Sequence, residues 1–273
     1  MVPESVLKIF ASLLGFSVAV ECGVLSGLWT LGLRGYHLIH LMLMACLFGL
    51  AVALYRQRSR RGAADRAVSL WFAAGLACTI VPAVDFVTSE PSSSNPVTHQ
   101  LSLAMLFFAL GYTCYIVGMW KGLALLTDGK TVVPRTLWLL IPVILAGNVI
   151  TWITRVQARV ADYPILYYGS FVFNATIYVI LPWLAIRYLI ARRFSLAAVA
   201  VMIGAVFIAY SDLVLFDSWF RLPVGTSIPT VLYASNWILY FGGQCLLNVF
   251  PSSLAQTLDA DTVGRENYTA PQP

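Results

Sequence analysis

Long runs of apolar residues constrain this chain more than any other feature of its sequence. Eight windows each hold roughly 20 predominantly apolar residues, the length that an α-helix needs to cross the hydrocarbon core of a bilayer. They cover residues 9–31, 37–55, 67–87, 101–120, 137–153, 168–190, 196–216 and 231–250. Only 11% of the residues are charged, too few to cover a water-facing surface. The sequence therefore predicts an all-α, polytopic integral membrane bundle of about eight transmembrane helices.

The segments between these windows are short and leave no room for a separate soluble domain. We expect one transmembrane domain over residues 1–251. Residues 252–273 form a polar tail whose composition is typical of disorder, and we expect this tail to be cytoplasmic.

Basic residues are distributed unequally between the two sides of the predicted bundle. One side carries thirteen of the 17 Lys and Arg residues, namely Lys8, Arg56, Arg58, Arg60, Arg61, Arg66, Lys121, Lys130, Arg135, Arg187, Arg192, Arg193 and Arg265. The other side carries Arg34, Arg155, Arg159 and Arg221. Because basic residues favour cytoplasmic loops, both termini are predicted to be cytoplasmic, in a bacterial inner membrane. The net charge of +5 then reflects topology and gives no reason to expect nucleic-acid binding.

Three acidic residues lie inside predicted spans, where a charge is costly and therefore suggests a function. Glu21 lies midway along the first span, and Asp85 and Asp212 lie toward the outer ends of the third and seventh. Because those two spans run in the same direction, we expect both aspartates at a similar depth. With no intramembrane Lys or Arg as counter-ion, they predict a hydrated cavity or a carboxyl that keeps its proton. The alternative is that each acid is only a buried hydrogen-bonding node between helices.

Polar and aromatic residues also recur on single helix faces. The eighth span places Tyr233, Trp237, Tyr240 and Gln244 on one face. Comparable stripes are Tyr167, Phe171, Asn174 and Tyr178 in the sixth span, Asn148, Trp152 and Arg155 in the fifth, and Tyr112 and Tyr115 in the fourth. Aromatic stripes are often only packing surfaces, but these amides and hydroxyls need interior partners. We therefore predict an inward-facing polar cavity with aromatic walls.

Two histidines, His37 and His40, begin the second span one helical turn apart. Their i, i+3 spacing lacks an accompanying acidic motif, so it favours a lipid headgroup contact over a metal site. We predict no metal and no organic cofactor.

Four segments resemble the YhhN, or lysoplasmalogenase, family. They are residues 203–212 (IGAVFIAYSD), 239–246 (LYFGGQCL), 75–85, which end at an aspartate, and 108–115 (FALGYTCY). In that family a glycine-alanine-aromatic run leads to a Ser-Asp pair in the seventh of eight helices. Val84, Tyr112 and His40 depart from the family pattern, which has glycine, histidine and a Lys-Pro pair near these positions.

The resemblance implies an enzyme that hydrolyses the vinyl ether bond of lysoplasmalogens. The products are a fatty aldehyde and a glycerophospho-ethanolamine or -choline, and the resemblance implicates Asp85 and Asp212 in catalysis. Candidates for binding the lysophospholipid or orienting water are Tyr112, Tyr115, Tyr240, Gln244, Asn174, Glu21 and His40. Arg155, Arg159 and Arg221 could meet a phosphate. Substrate and membrane lipids are the expected partners.

A second class of function stays open from the sequence, because buried acids also serve proton-coupled carriers. The alternative is a transporter or lipid-binding membrane protein without hydrolase activity. Other membrane classes are disfavoured. The chain lacks the Tyr-Asp and Gly-x-Gly-Asp motifs of aspartyl intramembrane proteases, and its seventh span has no lysine for a retinal Schiff base.

Overall fold

The structure, a computed structural model, describes residues 3–29, 33–60, 63–88, 96–127, 138–161, 164–221 and 230–269. These residues form nine helices and include no strand. The uninterrupted helices are α1 (Pro3–Leu25), α2 (Leu33–Arg60), α3 (Arg66–Thr88), α4 (Pro96–Thr127), α7 (Leu196–Arg221), α8 (Thr230–Leu247) and α9 (Val249–Thr269). Helix α5 joins Leu140–Thr151, Trp152–Gln157 and Ala158–Val160, and helix α6 joins Pro164–Ala175, Thr176–Ile180 and Leu181–Ala191.

Six of these helices are long and apolar enough to cross a membrane. The qualifying stretches are Lys8–Leu25, Gly35–Arg60, Arg66–Val84, Ser102–Thr127, Leu166–Ala191 and Leu196–Leu215. The prediction of an all-α membrane bundle is therefore confirmed. The two further predicted spans coincide with α5, whose apolar stretch is shorter, and with α8, which is not among the six. A total of about eight spans stays a prediction.

Two close crossings between antiparallel helices organise the bundle. A Cβ atom added to Gly75 of α3 would lie 3.0 Å from the carbonyl oxygen of Gly111 in α4. At the second crossing, a Cβ on Gly243 of α8 would lie 3.0 Å from the carbonyl oxygen of Gly204 in α7. Small residues let helix backbones approach this closely in membrane proteins. The residue after Gly111 is Tyr112, so the first crossing also sets the depth of a candidate site residue.

Helices α5 and α6 each contain a π-helical stretch, at Trp152–Gln157 and Thr176–Ile180. Pro182 follows the second stretch, and a proline has no N–H to bond the carbonyl four residues earlier, which here belongs to Tyr178. The wider turn accommodates this missing bond. π-Helical turns are frequent at functional sites, and this one carries Tyr178, which lies close enough to Asp212 to interact with it electrostatically.

Residues 252–269, where the sequence predicts a disordered tail, are helical. Helix α9 begins after a break at Asn248, and the side chains of Phe250 and Leu254 are fully buried. The Phe250 ring stacks on Phe72 of α3 at a centroid distance of 5.5 Å. The tail is polar on average, but Leu254 and Ala255 in its first turn are buried against the bundle, and this local pattern outweighs the composition.

Candidate active site

A cluster of phenols surrounds one buried carboxyl in the interior of the bundle. The Asp212 cluster consists of Asp212 on α7, Tyr112 on α4, Tyr178 on α6 and Tyr240 on α8. Asp212 is 2% exposed and Tyr112 is completely buried. All three phenols lie close enough to interact electrostatically with the carboxyl. Four helices therefore converge on Asp212.

Three polar atoms of the Asp212 cluster have no partner within hydrogen-bond distance among the described residues, although Tyr112 faces the Asp212 carboxyl and Tyr240 lies near Thr79 and Gln244. The three atoms are Asp212 Oδ2, Tyr112 Oη and Tyr240 Oη. Leaving such an atom unsatisfied costs about 1–3 kcal/mol, so interiors normally supply water or a ligand to it. No Lys or Arg in the described part of the chain forms an ion pair with Asp212. The cluster is thus suited to bind water or the polar part of a substrate.

A second polar layer lies directly beside the Asp212 cluster. The Tyr115 hydroxyl of α4 donates a hydrogen bond to Gln244 Oε1 of α8 at 2.7 Å, and both side chains are completely buried. Thr79 of α3 interacts with both Tyr115 and Tyr240. Tyr115, Gln244 and Thr79 therefore extend the polar interior away from Asp212 along the inner face of α8.

A second buried carboxyl lies in the Glu21 cluster, formed by Glu21 on α1, Tyr36 and His40 on α2, and Trp237 on α8. Glu21 is fully buried, and both of its oxygens are paired. Oε2 accepts a hydrogen bond from the Tyr36 hydroxyl, and Oε1 lies 2.8 Å from His40 Nε2. The His40 ring stacks on Trp237 at 3.7 Å, and Trp237 Nε1 donates to Ser17 Oγ at 3.1 Å.

The two clusters adjoin along one face of α8. The rings of Trp237 and Tyr240, one from each cluster, are 5.7 Å apart. The structure therefore turns the predicted stripe of α8 toward the interior, where Trp237, Tyr240 and Gln244 are all buried. Tyr233 at its outer end lies 3.3 Å from His37 Nδ1.

The structure treats the predictions for His40 and Asn174 differently. His40 is only 3% exposed and pairs with Glu21, so the expected headgroup contact of this histidine is not what the structure shows. Asn174 is buried one turn before Tyr178, but no hydrogen bond between described residues joins it to the Asp212 cluster.

Four further candidate residues have side chains that lie outside the described residues. Helix α3 runs through Asp85, but the side chain of Asp85 lies outside the described residues. The side chains of Arg155, Arg159 and Arg221 also lie outside them. The proximity of Asp85 to Asp212, and a phosphate contact of these arginines, therefore stay predictions.

Three site residues were not anticipated from the sequence: Tyr36, Thr79 and Asn248. Tyr36 lies four residues before His40, so helical spacing could have indicated that it shares the face that meets Glu21. Asn248 lies four residues after Gln244 and extends the stripe of α8 in the same way. Thr79 carries no comparable signal, because a single threonine inside an apolar helix usually bonds its own backbone, as this one does to Leu76.

In the described part of the chain, no group of three or more His, Cys, Asp and Glu residues could hold a metal ion.

Comparison with known proteins places the chain in a family. The curated proteins and the solved structures gave no match. A family model described as the YhhN family matches residues 35–249, which include Asp212, Tyr112 and Tyr240 but not Glu21. Since this match spans most of its 273 residues, the chain belongs to the YhhN family.

Proposed function

We propose that this chain is a membrane hydrolase that cleaves the vinyl ether bond of lysoplasmalogens, with Asp212 and Asp85 as its acid/base pair. The observation that carries the proposal is the unpartnered, buried Oδ2 of Asp212, which lies among phenols inside an apolar bundle. Membership of the YhhN family supports the same chemistry. The substrate is a lysophospholipid, and the site requires no metal or organic cofactor for the steps below.

The reaction needs one proton donor and one water molecule. A carboxylic acid transfers its proton to the β-carbon of the vinyl ether, and the electron pair of the double bond forms the new C–H bond. The resulting oxocarbenium ion is attacked by water at the carbon bonded to oxygen. The hemiacetal then breaks its C–O bond to give the aldehyde and the glycerol hydroxyl, and the proton returns to the carboxylate. The net change is the consumption of one water molecule.

Two carboxyls in unlike environments can divide this work, as they do in glycosidases. We assign the proton donor to Asp212, because no cation among the described residues stabilises its charged form. Asp85 then stays ionised, stabilises the oxocarbenium ion and orients the water. Tyr112 and Tyr240 offer their unpartnered hydroxyls to the same water or to the ether oxygen.

The depth of Asp212 suits a single-chain lipid. Asp212 lies nine residues before the end of α7 at Arg221, about 14 Å along the helix axis. In a lysoplasmalogen the vinyl ether joins the glycerol to the alkenyl chain, so this bond lies just inside the polar headgroup. A lipid entering from the bilayer could place this bond at the carboxyl without leaving the membrane.

Mass spectrometry of the purified protein tests this proposal. We expect aldehyde release from lysoplasmalogens and none from their ester analogues. Asp212→Asn and Asp85→Asn should each lower the rate by about 10²–10⁴-fold, the usual contribution of general acid catalysis. Tyr188→Phe is a matched control, since Tyr188 is a fully buried tyrosine bonded to Ser253 outside the cluster.

Two results would contradict the proposal. One is turnover at the wild-type rate in the folded Asp212→Asn variant. The other is a pH-dependent flux of lysolipid across liposomes without any aldehyde, which would favour the transporter alternative.

A further inference from the structure

Unsatisfied polar atoms in this protein are concentrated along one line through the bundle. Twelve buried side-chain atoms in the described part of the chain have no hydrogen-bond partner. Seven of them lie on this line: Ser69 Oγ, Ser252 Oγ, Asn248 Oδ1, Gln244 Nε2, Tyr240 Oη, Tyr112 Oη and Asp212 Oδ2. A single unsatisfied atom is a local cost, whereas a continuous row of them indicates a common partner.

The line begins in a cavity at one end of the bundle. We call this end the basic end, because it carries the turn between α2 and α3 with the arginines of residues 56–66. The cavity has a volume of about 140 Å³ and is lined by Gln57, Ser69, Asn248 and Ser252 together with apolar side chains. Since a water molecule takes about 30 Å³ in the liquid, the cavity has room for several.

The polar side chains that line this cavity are themselves buried. Ser69, Asn248 and Ser252 are 1%, 3% and 6% exposed, and each has an unpartnered oxygen. A buried cavity that offers several polar atoms holds ordered water, whereas a purely apolar cavity stays dry. The cavity therefore has the chemistry of a water-binding site.

Polar contacts continue from this cavity to Asp212. Asn248 Nδ2 donates a hydrogen bond to the backbone oxygen of Gln244 at 2.8 Å, and the Asn248 side chain also interacts with Tyr115. Tyr115 in turn bonds Gln244 Oε1, and Thr79 links Tyr115 to Tyr240. Tyr240 interacts with the Asp212 carboxyl.

The geometry of α8 explains why the line is continuous. Tyr240 and Gln244 are four residues apart and share one face of α8. Asn248 directly follows the helix and continues this spacing, because its backbone N–H still bonds the Gln244 carbonyl oxygen at 3.1 Å. The three residues cover about 12 Å along the helix axis.

We propose that Ser69, Ser252, Asn248, Gln244, Tyr115 and Tyr240 bind a file of water that connects the aqueous phase at the basic end with Asp212. The file rests on the proposed function only for its purpose, since each vinyl ether hydrolysis consumes one water molecule. Water would enter the file at the basic end, whereas the lipid would bind near the opposite ends of the helices. Water could therefore reach Asp212 while the lipid stays bound. Asn248 lines the cavity and its side chain also interacts with Tyr115, so it joins the cavity to the rest of the file.

Hydroxyl-radical footprinting of the full chain in nanodiscs tests the file without any substrate. Radicals made by an X-ray pulse arise from water and modify side chains that contact it. We expect Tyr115 and Tyr240 to be modified at least about threefold faster than Tyr188, whose hydroxyl bonds Ser253 and does not line the file. Tyr115 is as fully buried as Tyr188, whereas Tyr240 is 8% exposed, so the comparison of Tyr115 with Tyr188 is the stricter one. Equal, slow modification of all three tyrosines would overturn the proposal.

A variant then tests the route. Asn248→Leu should lower the modification of Tyr115 and Tyr240 to the rate of Tyr188. Asn148→Leu is the matched control, because Asn148 is 6% exposed with an unpartnered Oδ1 but lies on α5, away from the file; its substitution should leave both rates unchanged. Unchanged rates in Asn248→Leu would show that water arrives from elsewhere and would overturn the route. If Asn248→Leu does not fold, Ser252→Leu blocks the cavity in its place.

The footprinting experiment and the lipid assay test different proposals, and a negative result in one does not imply a negative result in the other. A dry interior would leave vinyl ether cleavage by Asp212 possible with water from the lipid side. Conversely, a hydrated file in a protein that releases no aldehyde would contradict the proposed function and leave the file intact.

Discussion

At the scale of single residues, the two buried carboxyls of this protein have opposite surroundings. Both oxygens of Glu21 are engaged by Tyr36 and His40. Asp212 keeps an oxygen without a partner among the described residues. A fully engaged carboxyl stabilises the contact between helices, whereas an unengaged one remains available to a ligand. The difference supports the proposed chemical role of Asp212 and predicts a structural role for Glu21.

Glu21 variants test this distinction. Glu21→Leu leaves the Tyr36 hydroxyl and one nitrogen of His40 buried without a partner, at about 1–3 kcal/mol each, so the midpoint of thermal unfolding in detergent should fall markedly. Glu21→Gln can still accept from Tyr36 and bond His40, and its midpoint should fall less. Equal midpoints for both variants would contradict the pairing of Glu21 with these two side chains.

At the scale of helices, close glycine crossings hold the site together. Gly204 and Gly243 bring α7 and α8 into contact, and these helices carry Asp212 and Tyr240. A Cβ on Gly243 would lie 2.9 Å from the backbone nitrogen of Ile208, which no side-chain rotation can relieve. The helices would have to separate, and the Asp212 cluster would open with them.

A pair of alanine substitutions checks this crossing. Gly243→Ala should lower the unfolding midpoint and the rate of the proposed hydrolysis together, because it displaces α8 from α7. Gly49→Ala in α2 is the control, since a Cβ there meets nothing within 4 Å. Alanine is favoured over glycine in a helix by up to about 1 kcal/mol, so Gly49→Ala should be neutral or stabilising. A neutral Gly243→Ala would show that the crossing is looser than described.

At the scale of the whole molecule, one arginine fastens the last helix to the bundle. Arg58 of α2 donates to Asp65 Oδ1 from Nε and Nη2 at 2.9 and 2.8 Å. Its Nη1 and Nη2 also bond Asp259 of α9 at 2.8 and 2.9 Å. The Asp65 side chain is 1% exposed and that of Asp259 is 55% exposed. The pairing of Arg58 with buried Asp65 should therefore contribute more to the free energy of unfolding than its pairing with Asp259.

Substitutions at the two ends of the network should differ in cost. Arg58→Leu leaves Asp65 as a buried, unpaired charge and should lower the free energy of unfolding by about 3–5 kcal/mol. Asp259→Asn removes only a largely exposed partner and should cost less than about 1 kcal/mol. Chemical unfolding in detergent measures both, and a larger cost for Asp259→Asn would reverse the assignment.

The topology of the whole chain is a separate prediction. The basic end carries the arginines around residues 56–66, and basic residues favour the cytoplasm. Reporters fused to either terminus should therefore be active in the cytoplasm and inactive outside it. An external C-terminus would overturn this orientation and would also place the water file on the external side.

Much of this architecture could be predicted from the sequence. Long apolar windows require helices, because a backbone in lipid must satisfy its hydrogen bonds within its own segment. Helical spacing placed Trp237, Tyr240 and Gln244 on one face of α8, and the cost of a buried charge singled out Glu21 and Asp212. Each of these inferences depends on residues within one helix or on the free-energy cost of placing one charged group in an apolar environment.

Tertiary structure alone decided which faces meet. The pairing of Glu21 with His40 joins residues 19 apart in sequence, and that of Arg58 with Asp259 joins residues 201 apart. Nothing in either local pattern specifies these partners, because an α-helix satisfies its own backbone and leaves the choice of neighbour to side-chain packing. The same holds for the proposed water file, whose side chains come from four helices and acquire a common partner only when those helices pack together.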